Sequence, residues 1–113
     1  MTPARTPRTP AHLSPAAGRW WRDVLLTYAL ESHHIRLLTL AAENWDTAEK
    51  ARAALAEHGL VFTDHLGQPR ARPENAIARN AAIVFARLVR ELALDVEPEA
   101  PRPPVIGGRE RRT

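Results

Sequence analysis

Five histidines, thirteen carboxylates, one lysine and fifteen arginines are the side chains of this 113-residue chain with chemistry to offer. Their spacing argues against catalysis. His33 and His34 are neighbours, so on a helix they point about 100° apart and cannot grip one ion as an i, i+4 pair would. His12, His58 and His65 are scattered, and no serine, carboxylate and histidine grouping resembles a triad. Asp64 precedes His65, but an aspartate in a turn normally bonds its own backbone. The only lysine, Lys50, has no glycine near it, which excludes the glycine-rich phosphate cradle of a nucleotide hydrolase. Cysteine is absent, so disulfides, thiolate nucleophiles and cysteine-held zinc are excluded too, and a reducing compartment fits. The expected catalytic set is empty, with no metal and no cofactor.

The arginines carry the stronger signal. At 100° per residue, Arg79, Ile83, Arg87 and Arg90 fall within a sector of about 80°, a basic face suited to phosphate. Pairing of Arg87 with Glu91 at i+4 would make the same face an ordinary solvated one. Arg70 and Arg72 add two cations just upstream, and Arg19 and Arg22 flank Trp20-Trp21. Aromatic and basic residues together can form a nucleic-acid surface, although adjacent tryptophans in a small helical domain more often serve a core and an interface.

The net charge of +3 is unevenly spread. Residues 1–13 hold Arg5 and Arg8 without an acid, and residues 100–113 hold Arg102, Arg109, Arg111 and Arg112 against Glu110 alone. Between them, nine arginines and Lys50 meet twelve acids. Basic flanks of this kind can neutralise phosphates or simply keep a small protein in solution.

These residues need a scaffold. Pro3, Pro7 and Pro10 block helix formation at the start, and residues 1–12 read as a disordered basic arm. Ser14 as N-cap and Pro15 at the first helical position predict a helix to about Ala29, with Trp20, Trp21, Val24, Leu25 and Tyr28 as its apolar stripe. Ser32 offers a second cap, and Gly59 a stop, for a helix of about 26 residues and ~39 Å. Its inner stripe runs through Leu38, Ala41, Trp45, Ala48, Ala51 and Leu55, and the alanines invite close approach of another helix. Leu37 and Leu40 broaden the apolar surface near its start.

Leu60 to Thr63 predict a short strand, and His65 to Pro69 a turn, giving a small hairpin or extended loop. Pro73 and Glu74 then open a last helix whose inward stripe is Ile77, Ala81, Val84, Phe85, Leu88 and Leu92. Prolines 98, 101, 103 and 104 end regular structure, and residues 98–113 read as a disordered Pro/Arg-rich tail. The expected fold is mainly α: one helical domain at 13–97 with a long central helix. So small a domain gains burial by self-association. No apolar run approaches the ~20 residues of a membrane span.

The order of these elements, with Trp20-Trp21-Arg22, His33-His34, the turn Thr63-Asp64-His65-Leu66-Gly67-Gln68-Pro69-Arg70 and Pro73-Glu74 opening an arginine-studded helix, resembles the small terminase subunit of tailed bacteriophages. The resemblance covers roughly residues 12–94. It implies a non-catalytic homo-oligomer, a ring of about eight to ten subunits, that recognises viral double-stranded DNA and regulates the large terminase subunit during packaging. That subunit supplies the ATPase and nuclease. The implied location is the host bacterial cytoplasm, not the mature virion, with no membrane partner.

The family has no short motif that fixes its DNA-contacting positions, so the residue assignments follow from the physical reading above. Arg5, Arg8, Arg19, Arg22, Arg70, Arg72, Arg79, Arg87 and Arg90 are the candidates for DNA. Trp20, Trp21, Leu37, Leu40, Trp45 and Phe85 are the candidates for core and subunit contacts. The chain is short for the family at its carboxyl end, where Arg109, Arg111 and Arg112 remain as candidate contacts for the large subunit. Two alternatives stay open: a structural helical oligomerisation or head-assembly adaptor without a DNA role, and a small transcriptional regulator binding as a dimer.

Overall fold

The computed structural model describes residues 7–94. Helix α1 spans Pro15–Thr27, α2 Ser32–His58 and α3 Pro73–Glu91, with strands β1 at Val61–Thr63 and β2 at Pro69–Ala71 between the last two helices. The mainly helical class, the long central helix and the small hairpin match the sequence expectation. Arg5 lies outside the described residues, as do residues 95–113 with Arg102, Arg109, Arg111 and Arg112.

Helix α1 begins as its sequence requires. The Ser14 hydroxyl accepts from the Ala17 amide at 3.1 Å, and Pro15 occupies the first turn, where a missing N–H costs nothing. The same serine is held from outside: its amide and hydroxyl both donate to Asp46 of α2, at 2.8 and 2.5 Å. The segment before it is attached as well. Thr9 accepts from Arg22 at 2.9 Å, His12 Nε2 lies 2.7 Å from Glu43, and Leu13 is buried. Four residues of the expected arm, Thr9 to His12, thus border the domain directly.

The cap of α2 differs from the expected one. Glu31 is the N-cap and Ser32 the first helical residue, while the Glu31 amide donates back to His34 Nδ1 at 3.4 Å. Gly59 ends the helix at φ 86°, ψ 175°, a conformation nearly closed to residues bearing a Cβ. In the hairpin Val61 pairs with Ala71, Phe62 with Arg70 and Thr63 with Pro69, antiparallel. Asp64 builds the turn by accepting from the Leu66 and Gln68 amides at 2.9 Å each and from Arg70 Nε at 2.8 Å.

The core forms where α1 meets the first half of α2 and the end of α3. Leu13, Ala17, Trp21, Val24, Leu38, Ala42 and Leu92 make it up, flanked by half-buried Trp20, Leu25, Tyr28, Ile35, Leu37, Trp45 and Leu94. Trp21 satisfies its buried indole N–H on Thr39 Oγ1 at 3.0 Å, as a core tryptophan must. Beyond this cluster α2 and α3 pack on each other through small residues, Ala41, Ala48, Ala51 and Ala81, all buried, which lets the two helices lie close.

One expectation about α3 needs correction. Ile77 and Val84, assigned to its inner stripe, are 44% and 38% exposed, while Ala81 and Leu92 are buried and Phe85 and Leu88 half-buried. The hairpin runs alongside neither helix to cover them: both strands are exposed throughout.

Candidate nucleic-acid interface

The helical geometry that buries Ala81 and Leu92 turns the arginines outward. With 100° per residue, the centre of the Arg79, Ile83, Arg87 and Arg90 sector lies about 180° from that of Ala81, Phe85, Leu88 and Leu92. All four sector residues are exposed. Glu91 does not pair with Arg87: among the described residues, arginine ion pairs within 4 Å are Arg52 with Glu49 and Arg70 with Asp64, and Arg79, Arg87 and Arg90 meet no carboxylate. An unpaired guanidinium keeps its full fork of donors for an external oxyanion.

The other candidate arginines are placed differently. Arg70 is bonded to Asp64, and Arg72 lies over the Phe62 ring at 5.8 Å from its centroid, within cation–π range. Arg70 ties the second strand to the turn, and Arg72 lies against the first strand. The Arg70 guanidinium, more than the Gln68 and Leu66 amides, lowers the Asp64 pKa below the usual aspartate value. Arg19 and Arg22 are exposed on α1 beside an open hollow of about 340 Å³ that Thr9 and Gly18 also line. Arg8 is exposed too. No hydrogen bond or ion pair among the described residues joins these groups to one another or to the α3 face.

The six residues assigned to core and subunit contacts also separate. Trp21 is core, and Leu37 packs against it. Leu40 is exposed. Trp20, Trp45 and Phe85 come together in a way their sequence positions do not announce: the Trp20 and Phe85 rings stand 5.3 Å apart at 49°. With Ala16 and Ala17 the three line a hollow of about 180 Å³, and Trp45 and Phe85 continue into a second of about 190 Å³ with Ala48, Arg52 and Ala82. The result is a slot lined by aromatic rings and alanines along the α1, α2 and α3 seam.

The His33 and His34 rings stand 4.1 Å apart at 43°, His34 serving the α2 cap, and among the described residues no cluster of three His, Asp or Glu side chains could hold a metal ion. No described helix is long and apolar enough to cross a membrane.

No family model matches this chain, nor does any curated protein or solved structure.

Proposed function

We propose that this protein is a non-catalytic, DNA-recognising oligomer of the small-terminase type, acting on viral double-stranded DNA beside a large ATPase-nuclease subunit. The observation that supports the DNA role is the outer face of α3, where Arg79, Arg87 and Arg90 are exposed and, among the described residues, meet no carboxylate. A regular array of unpaired guanidinium groups on one helix face suits the phosphate backbone. Arg8, Arg19 and Arg22 are secondary candidates on α1 and the segment before it. Arg70 and Arg72 belong first to the hairpin.

The apolar side chains left in solvent support the oligomeric part of the reading. Leu60, Val61, Phe62 and Leu66 of the hairpin and Ile77 and Val84 of α3, outside the arginine sector, are all exposed, and an exposed apolar surface of this kind suits a subunit contact. The same residues would serve a structural adaptor with no DNA role, so DNA binding separates the two readings.

Binding to a fluorescent duplex, followed by anisotropy across a salt series, tests the proposal. Each phosphate contact removed should lower the slope of log affinity against log salt by about 0.9, so the triple change R79A/R87A/R90A should flatten it clearly. Unchanged affinity and slope would overturn the role of α3. Native mass gives the second readout: a closed ring supports the terminase-type reading, a dimer on a palindromic site the regulator.

A further inference from the structure

We propose that the slot formed by Trp20, Trp45 and Phe85 is the docking site for the proline-rich segment Pro101–Ile106 of the same chain. The slot has the chemistry that recognises polyproline II segments. Three aromatic rings and four alanines line it, with Arg52 at one end, matching the pattern in which stiff proline rungs lie between aromatic rings.

The two tryptophans add a second requirement. Trp21 spends its indole N–H on Thr39, whereas among the described residues Trp20 and Trp45 have no acceptor for theirs. Their indole nitrogens are open to solvent, so each can exchange water for an incoming carbonyl oxygen. A polyproline II segment has no internal hydrogen bonds and presents its carbonyls outward, so it offers both the apolar rungs and the acceptors.

The occupant follows from reach and composition. The segment Pro101-Arg102-Pro103-Pro104-Val105-Ile106 combines three prolines with two branched apolar residues. The described chain reaches Leu94, whose carbonyl accepts from the Tyr28 hydroxyl at 3.3 Å. Trp20 precedes Tyr28 by eight positions and Phe85 precedes Leu94 by nine, each about 12–14 Å at helical rise. Residues 95–100 span up to ~20 Å when extended, so the segment reaches the slot from where the chain leaves the core. This docking is independent of DNA binding.

The chain has no cysteine, so Gly107→Cys gives a unique site for a nitroxide label in the full-length protein. Nitrogen-15 spectra then report which tryptophan indole signals broaden beside the label. The expected result is broadening of Trp20 and Trp45 over the Gly59 and Gly67 amides, lost when Pro101, Pro103 and Pro104 are replaced by serine and Val105 and Ile106 by serine. These changes leave every described residue intact, so failure to fold does not confuse the outcome. Broadening that survives them, or that never appears, overturns the proposal. A mixture of labelled natural-abundance chains with unlabelled nitrogen-15 chains resolves the source: broadening there means the segment comes from a second copy and overturns docking within one chain.

Discussion

Ser14 and Asp46 are joined twice, the serine amide and hydroxyl both donating to the aspartate carboxylate at 2.8 and 2.5 Å. This bond pair sits at the start of α1, where the unsatisfied amides of the first turn give the helix its positive end. Asp46 therefore fixes the cap, and through it the angle at which α1 enters the core. The arrangement also means that the amino end of α1 already has its anion, the Asp46 carboxylate.

Removing either partner should loosen α1. Ser14→Ala should cost about 1 kcal/mol for the lost cap, and Asp46→Ala about 1–3 kcal/mol because a part-buried hydrogen-bonding partner is orphaned. The double variant should cost less than the sum, since both changes break one network. Urea unfolding of the four proteins checks this; strict additivity would mean the two residues act separately.

Ala93 offers a stabilising change. It closes α3 at φ 58°, with the Leu94 amide donating to the Val89 carbonyl and the Ala93 amide to that of Arg90, both at 3.0 Å. That is the reverse turn that usually employs glycine, and a Cβ in the left-handed region costs roughly 1–2 kcal/mol. Ala93→Gly should raise stability by about 0.5–1 kcal/mol after glycine's own entropic penalty. A fall in the unfolding midpoint would show that this turn does not persist in solution.

Ala41 tests the close packing of α2 on α3. It is fully buried among helices brought together by small side chains, so Ala41→Leu should destabilise by about 1–3 kcal/mol through overpacking. Ala56→Leu, at an exposed position of the same helix, should change little. Equal midpoints for the two variants in thermal melts would contradict the tight seam.

Asp64 predicts how the hairpin answers to acid. Its pKa is lowered in the fold, first by Arg70 and then by the Gln68 and Leu66 amides, so the folded hairpin favours the ionised form more than the unfolded chain does. The stabilisation is complete above the unfolded aspartate value and is lost as pH falls through the lower folded value. Chemical shifts of the Leu66 and Gln68 amides should therefore hold steady down to the ordinary aspartate range and change only below it. In Asp64→Asn that transition should vanish and Arg70 should be released.

Local chemistry made much of this fold readable beforehand. Ser14-Pro15, Gly59 and Pro73-Glu74 punctuate the helices with side chains whose caps and backbone angles act within one turn. The stripe of Leu38, Ala41, Ala48 and Ala51 shows in periodicity because a helix repeats its inner face every three to four residues. Where periodicity misled, as at Ile77 and Val84, the apolar stripe was wider than the partner available to cover it. Glu31 took the cap expected of Ser32 because His34 stood at the right distance to bond its amide.

The sequence by itself determined the elements, the uneven charge and the sector shared by Arg79, Arg87 and Arg90, since these depend on neighbours within a few turns. Only the three-dimensional structure decided which of the described arginines meet a described carboxylate. Arg70 meets Asp64 because hairpin register brings them together, while Glu91 stays beyond 4 Å of Arg87 despite ideal spacing, a matter of rotamers and solvent that spacing does not encode. The aromatic slot is likewise tertiary: Trp20, Trp45 and Phe85 lie on three different helices, and nothing local to any of them fixes where the other two will stand.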